Sequence, residues 1–170
     1  MKLGLVVGVL VALALLLVLA ASAKLDQPSK SESVATVIDA SREVVWAALA
    51  DLDAYSEWNP YVTEASGDVR VGAQLQLRIV PPGEDADEAT VKVLTAHFER
   101  KLRWEDRLVL PGVRDLEMTF QLRKLTPNRV RLVETIRMEG LLAPWADLGP
   151  TVEGLELMAA ALEQRVEGTS

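Results

Sequence analysis

Residues 51–62 read DLDAYSEWNPYV and place three aromatic side chains beside a proline. Only 5% of the whole chain is aromatic, and Trp46 lies just upstream of the same stretch. A helix that runs through Trp58 has to end at Asn59, because a residue that precedes a proline avoids the helical conformation. The stretch is therefore either a packing corner of one particular fold or a platform that binds a ligand.

The residues before this stretch predict a strand and then a helix. Residues 33–40, SVATVIDA, are rich in β-branched side chains, which is typical of a strand. Ser41 can cap the following helix, and Glu43 lies in its first turn, where the helix dipole favours an acid. The apolar residues of that helix recur at helical spacing, namely Val45, Ala48, Leu49 and Leu52. A second short helix is predicted over residues 53–59.

From residue 61 to residue 139 the apolar period changes from helical spacing to a period of two. For example, Leu116, Met118 and Phe120 alternate with charged or polar residues. This alternation is typical of antiparallel strands that have one covered face and one solvated face. Turn-forming glycine, proline and asparagine residues separate the apolar runs, so about six strands are predicted here.

After Gly140, the loop LLAPWADLGP leads into a last helix with a wide apolar stripe. The stripe consists of Val152, Leu155, Ala159, Leu162 and Val166, broadened by Leu157, Met158 and Ala161. The apolar face of the sheet has to be covered, and this helix is the only predicted element long enough to cover it. The predicted fold is therefore α+β, with a curved antiparallel sheet of about seven strands on a long C-terminal helix and two short helices after the first strand.

The N-terminal residues predict export from the cytoplasm. Residues 3–23 carry no charge and form an apolar run long enough to cross a membrane as a helix. Lys2 precedes the run, so the N-terminus is expected in the cytoplasm and the rest of the chain outside it. The run is either an uncleaved anchor, which its length favours, or a signal peptide cleaved after Ala23, which would leave a secreted protein. Residues 24–32 are expected to be a polar linker, and residues 33–170 one domain.

The composition argues against several classes of function. The formal net charge is −7, which disfavours binding to nucleic acid phosphates and charge-driven docking onto an anionic membrane. The chain has no cysteine and one histidine, His97, so thiolate and three-histidine metal sites are excluded. Neither a glycine-rich phosphate loop nor a dinucleotide fingerprint is present. No nucleic acid partner, no metal and no cofactor is expected, and the sequence leaves the oligomeric state open.

The order of the predicted elements resembles the helix-grip fold of the START-related, birch-pollen-allergen-like superfamily (SRPBCC). Three segments carry the resemblance: VIDASREVVWAALADLDAYSEWNP (37–60), ERKLRWEDRL (99–108) and RVRLVETIRMEGLLAPW (129–145). They are most similar to polyketide cyclase/dehydrase-type members, and the likeness extends from about residue 33 to residue 167. The resemblance implies a gap between the curved sheet and the terminal helix, and such a gap suits a small hydrophobic ligand.

A set of inward-facing residues is expected to line that cavity. From the strands they are Leu77, Ile79, Trp104, Met118, Phe120, Leu132, Ile136 and Met138, and from the helix Leu155, Met158 and Leu162. Tyr55, Trp58 and Tyr61 are expected to flank its mouth. The alternative is a fully packed core, since protein interiors normally close to high density. In that case Trp46 and Trp58 simply pack the short helices against the sheet.

Two carboxylates fall on the covered face in strand register. Glu134 lies between Leu132 and Ile136, and Asp106 lies on the same face as Trp104. A buried carboxylate is costly unless it is paired or protonated. Either acid could orient a polar group of a ligand or act as a general acid or base, which makes both weak candidates for catalytic residues. The alternative is a twist or bulge that turns them towards solvent or into a salt bridge at the sheet edge.

The sequence thus predicts a domain that binds a hydrophobic small molecule or lipid in an internal cavity, tethered to the membrane on its outer side. One alternative is a cyclase or dehydratase-like lyase that uses Glu134 or Asp106 to move a proton. Another is a domain with a filled core that serves only protein contacts.

Overall fold

A computed structural model describes residues 27–107 and 112–168 of the chain. The described strands are β1 (Ser29–Ile38), β2 (Val62–Gly67), β3 (Gln74–Ile79), β4 (Asp87–His97), β5 (Lys101–Arg107), β6 (Asp115–Thr126) and β7 (Arg129–Glu139). They form one antiparallel sheet in the order β1-β7-β6-β5-β4-β3-β2. The helices are α1 (Arg42–Ala50), α2 (Tyr55–Trp58) and α3 (Gly149–Glu167), with 3-10 turns at Leu52–Ala54 and Ala143–Trp145. The predicted helix-grip fold is confirmed.

The apolar run 3–23 and the cleavage site after Ala23 lie outside the described residues. Within the residues that are described, no helix combines the length and apolar character needed to cross a membrane. The anchor therefore stays a prediction from the sequence.

The first strand begins earlier than the sequence predicts. β1 starts at Ser29 rather than at residue 33, so four residues of the expected linker pair with β7. Ser29 lies opposite Glu139, and the Ser31 hydroxyl donates a hydrogen bond to the Ile136 carbonyl over 3.1 Å. β1 is an edge strand of the sheet, where polar side chains are tolerated. The polar composition of residues 29–32 therefore led to the prediction of a linker where the chain forms a strand.

The helical corner of residues 41–62 is held by hydrogen bonds from polar side chains. Ser41 caps α1 as predicted and accepts a hydrogen bond from the Val44 amide over 3.3 Å. Asn59 Oδ1 accepts hydrogen bonds from the amides of Tyr61 (3.0 Å) and Val62 (2.9 Å), which turns the chain into β2. Trp46 is 7% exposed and packs into the core from α1. The aromatic stretch is therefore the packing corner that one reading of the sequence predicts.

The long helix α3 covers the inner face of the sheet with an unbroken apolar stripe. Leu155, Met158, Ala159 and Leu162 are each 0% exposed. Gly154 lies in the same buried stripe, directly against the ring of Tyr61. A Cβ at Gly154 would overlap that ring, so the absence of a side chain lets the β2 corner reach the helix backbone.

The variant Gly154→Ala tests this close approach. The added methyl has to displace the buried Tyr61 ring, so we expect a loss of about 1–3 kcal/mol in the free energy of unfolding, despite the better helix propensity of alanine. Urea denaturation followed by far-UV circular dichroism measures it. Gly149→Ala, in the exposed first turn of the same helix, is the matched control. Equal stability of Gly154→Ala and wild type would contradict the contact.

Candidate functional site

The strand β7 places one acid on the inner face of the sheet, under α3. Glu134 lies between Leu132 and Ile136, and its Cα partners are Phe120 on β6 and Val34 on β1. Its side chain is only 1% exposed, which confirms the predicted position on the covered face. The period of two along β7 fixes this orientation, since every second residue of a strand faces the same side.

The carboxyl group of Glu134 has no hydrogen-bonding partner. Both Oε1 and Oε2 are inaccessible to solvent, and neither oxygen meets a donor among the residues that the structure describes. Burial raises the pKa of Glu134 from 4.5 to about 8, because the apolar surroundings disfavour the charged form. At neutral pH most molecules therefore carry a neutral acid here, with one O–H donor and free acceptor capacity.

Tyr55 is a buried polar residue that interacts electrostatically with Glu134. It is fully buried, and its hydroxyl donates a hydrogen bond of 2.8 Å to the Leu49 carbonyl rather than to Glu134. Burial raises the pKa of Tyr55 far above its ordinary value, and the negative charges of Glu134 and Asp51 raise it further. Tyr55 thus stays protonated and already has a partner, so it cannot serve as a free proton donor.

The residues predicted to line a cavity do come together between the sheet and α3. All of the strand and helix positions belong to one apolar core, with Ile79 half-buried at its margin. However, the side chains touch one another: the ring centroids of Trp104 and Phe120, for example, are 4.9 Å apart. The predicted set is therefore the interior of the fold.

The side chains at the centre of the predicted cavity lining are closely packed. Trp104 is 3%, Phe120 1% and Met158 0% exposed, and all three belong to the same apolar core. A preformed cavity between the sheet and α3 stays a prediction from the sequence.

A groove of about 590 Å³ lies between β1 and the start of α3. Its wall consists of Lys30, Glu32, Asp147, Leu148, Gly149, Val152, Glu153 and Glu156. The sequence reasoning missed this groove, because it assigned Lys30 and Glu32 to a linker. Their alternation with Ser31 and Ser33 was the available signal, since it continues the period of two of β1.

The three aromatic residues expected at a cavity mouth do not surround an opening. Tyr55 is 0% and Tyr61 3% exposed, and Trp58 is half-buried with its ring edge-on to that of Tyr55 at 5.2 Å. Burial raises the pKa of Tyr61, an effect that a hydrogen bond with Thr151 partly offsets. These rings pack the short helices onto the core, because Asn59 turns the chain inwards at this corner.

Asp106 does not share the environment of Glu134. It follows Trp104 on the same face of β5, but its side chain is 24% exposed and pairs with Arg114 at 3.0 Å. Asp106 is next to the last residue of β5, and Arg107 pairs with Asp115 at the start of β6, so Arg114 lies close enough to reach it. The prediction of a second buried acid is therefore wrong, and the alternative of a salt bridge at the sheet edge describes Asp106. Among the residues that the structure describes, Glu134 is the one buried carboxyl.

The sequence and the fold resemble those of known proteins. Residues 31–169 match the model of a family described as polyketide cyclase / dehydrase and lipid transport. No curated protein matches the chain. Among solved structures, a START superfamily protein from Mycobacterium smegmatis has a TM-score of 0.64 at 24% identity, covering 82% of this chain and 99% of its own.

Two enzymes of known structure also share the fold. Norcoclaurine synthase from Thalictrum flavum, in complex with dopamine and hydroxybenzaldehyde, has a TM-score of 0.64 at 16% identity and covers 86% of this chain and 91% of its own. The Zhui aromatase/cyclase from Streptomyces sp. R1128 has a TM-score of 0.61 at 18% identity and covers 82% and 94%. At these identities the likeness establishes the fold alone.

The variant Glu134→Gln tests the buried neutral acid through the pH dependence of unfolding. The folded protein holds this proton up to about pH 8, whereas the ordinary pKa is 4.5. Because the folded state holds this proton more tightly than the unfolded state, proton binding at Glu134 contributes to the free energy of unfolding. This contribution is fully present below about pH 4.5 and is lost as the pH rises through about 8. Wild type should lose stability relative to Glu134→Gln across this window, by roughly 1.4 kcal/mol for each unit of pKa shift.

Urea denaturation of both proteins between about pH 5 and about pH 9 gives this difference directly. Glu156→Gln, which removes an exposed carboxyl from α3, controls for the loss of one charge. A difference between wild type and Glu134→Gln that stays constant with pH would contradict a neutral acid at this position.

Proposed function

The chain belongs to the polyketide cyclase/dehydrase and lipid transport family, and from this membership we propose that it binds a hydrophobic small molecule or lipid between the sheet and α3. The observation that carries the proposal is the Glu134 carboxyl, which is buried without a hydrogen-bonding partner. Glu134 would be the polar anchor that orients the ligand. The apolar lining supplies affinity at about 25 cal/mol for each Å² removed from water.

A purely structural interior gains nothing from such a group. A buried acceptor or donor without a partner costs about 1–3 kcal/mol, and an aliphatic side chain of similar size would avoid that cost. A ligand hydroxyl would restore both missing interactions, because a neutral carboxylic acid can donate one hydrogen bond and accept another. The group that is costly in the free protein therefore favours a ligand with a polar end.

The groove between β1 and α3 offers a route to this position. Lys30 and Glu32 in its wall are the Cα partners of Met138 and Ile136, and Ile136 is the inner-face neighbour of Glu134. Met138 is 8% exposed, and methionine side chains adapt more readily than others to a changed shape. Movement of Met138 would extend the groove inwards along the sheet towards Glu134.

The N-terminal apolar run 3–23 supports a location of this function at a membrane. Under the proposal the run is retained as an anchor, and the domain lies on the outer side of the bilayer, where it takes its ligand from the lipid phase. The support is the length of the uncharged run and the position of Lys2 before it. A secreted domain, cleaved after Ala23, would bind the same class of ligand from solution.

Competition between hexadecanol and its methyl ether tests the polar anchor. Both probes have nearly the same apolar surface, but only the alcohol donates a hydrogen bond. Native mass spectrometry of the full-length chain should show one bound molecule and a preference of roughly 5-fold to 100-fold for the alcohol. The preference should disappear in Glu134→Leu, which keeps the apolar lining.

Asp106→Asn is the matched control, because Asp106 lies on the same face but is 24% exposed and already paired with Arg114. It should retain the preference of wild type for the alcohol. Failure of both probes to form a one-to-one complex would favour the alternative of a filled core that serves only protein contacts. Equal binding of the alcohol and the methyl ether would show that Glu134 does not contact the ligand and that the site is purely apolar.

A cyclase or dehydratase activity is the second candidate, and the same residue favours it. A carboxyl with a pKa of about 8 can both give and take a proton near neutral pH, as a general acid or base must. Catalysis of this kind usually needs a second polar group at the reacting atoms. Among the described residues the Tyr55 hydroxyl is engaged with Leu49, so binding takes precedence over catalysis.

A linear triketone that cyclises by aldol condensation with loss of water tests this second function. If Glu134 moves the proton, full-length wild type should accelerate formation of the aromatic product, and Glu134→Gln should abolish the acceleration while still binding the triketone. Chromatography of the product gives the rate. A rate that is the same with wild type, with Glu134→Gln and with buffer alone would exclude this reaction for Glu134.

A further inference from the structure

The loop between β7 and α3 exposes an apolar patch at one end of the sheet. Trp145 is 80%, Leu141 65% and Leu142 47% exposed. Trp46 and Trp104, in contrast, are buried, and Trp58 is half-buried. Single exposed apolar residues are common on protein surfaces, whereas three exposed apolar side chains within residues 141–145 indicate an interaction site.

The backbone of this loop is fixed, so the apolar side chains are held outwards. The amides of Leu141 and Leu142 donate hydrogen bonds to the carbonyls of Gly112 (3.0 Å) and Val113 (3.1 Å). Gly140 has a φ of 115°, and a Cβ at this position would lie 2.7 Å from both of those carbonyl oxygens. Ala143 is 0% exposed and anchors the loop in the core. The patch cannot turn inwards without breaking these contacts.

The first described residues of the chain lie directly against this loop. The Gly140 amide donates a hydrogen bond of 3.0 Å to the Pro28 carbonyl, and Lys30 Nζ donates one of 2.8 Å to the Ala146 carbonyl. Only five peptide steps separate Pro28 from Ala23, the end of the apolar run. Those steps span at most about 18 Å. A bilayer that holds residues 3–23 would therefore lie within reach of Leu141, Leu142 and Trp145.

We propose that Leu141, Leu142 and Trp145 insert into the interfacial layer of the bilayer that holds the N-terminal segment of the same chain. The inference rests on the membrane tether in the function proposed above, but it does not depend on ligand binding. Tryptophan favours the membrane interface, where its ring is apolar and its N–H remains hydrated. The chain is acidic, so the contact uses apolar insertion and requires no anionic lipid.

The membrane contact would fix the orientation of the domain relative to the bilayer. The start of β1, the end of β7 and the segment 112–115 all lie at this end of the sheet. The β4–β5 turn lies at the opposite end, beyond the seven residues of β5, which span about 20 Å. The domain would thus stand with its β7–α3 loop on the membrane and its β4–β5 turn in water.

Tryptophan quenching by lipid tests the proposal on the full-length chain. Vesicles of zwitterionic phosphatidylcholine with brominated acyl chains quench only those tryptophans that enter the bilayer. Flotation of the protein with the vesicles first reports whether the tether holds. In floated wild type we expect strong quenching by the brominated lipid, and Trp145→Phe should lose most of it, since the other described tryptophans are at least half-buried.

The control places a tryptophan at the other end of the sheet. Phe98, in the β4–β5 turn, is 69% exposed, so Phe98→Trp in the Trp145→Phe background reports an exposed indole far from the proposed contact. This double variant should be quenched by aqueous iodide and not by brominated lipid. Quenching by brominated lipid equal to that of wild type would overturn the proposed orientation.

Three other outcomes would each contradict the proposed membrane contact of the β7–α3 loop. Flotation without lipid quenching of Trp145 would overturn the loop contact while leaving the tether and the ligand site standing. Trp145 that is shielded from both iodide and brominated lipid would show that a second copy of the chain covers the patch, which also overturns the proposal. Loss of flotation would reject the tether itself, and with it this inference.

Discussion

The covering of the sheet by α3 is the constraint on which the rest of the structure depends. A seven-stranded sheet with an apolar face cannot remain open to water, and α3 is the one described helix long enough to cover that face. The residues in the middle of the inner face are consequently desolvated, including Glu134. The unusual state of this acid is thus a direct result of the fold rather than of a special neighbour, because burial alone raises its pKa.

The sequence predicts most of this arrangement through periodicity. A period of two along β7 is sufficient to place Glu134 on the covered face, and the wide stripe of α3 is sufficient to identify the covering helix. Asp106 shows where periodicity stops being informative. Its face was predicted correctly, but its environment depends on Arg114, which reaches it from beyond a turn at the rim of the sheet. Contacts between side chains from different segments do not follow from the alternation within a strand.

The predicted cavity shows a second limit of the sequence. The resemblance to the helix-grip fold implies a gap, but whether the gap stays open depends on how the volumes of Trp104, Phe120 and Met158 fit together. In the structure these side chains belong to one packed core, with the rings of Trp104 and Phe120 4.9 Å apart. The groove between β1 and α3 was missed for a different reason, namely that polar residues in an edge strand resemble a linker. The structure combines a packed core that contains one unpartnered carboxyl with an open groove beside it.

The central claim is that Glu134 is a neutral, unpartnered acid in the free protein and gains a partner from a ligand. The most direct measurement is an NMR titration of the side-chain carboxyl carbon of Glu134, with Glu134→Gln used to assign its signal. The account expects a pKa of about 8 in the free protein and a displaced carboxyl resonance once hexadecanol is bound. An ordinary glutamate pKa, near 4.5, together with a resonance that does not respond to the alcohol would contradict it.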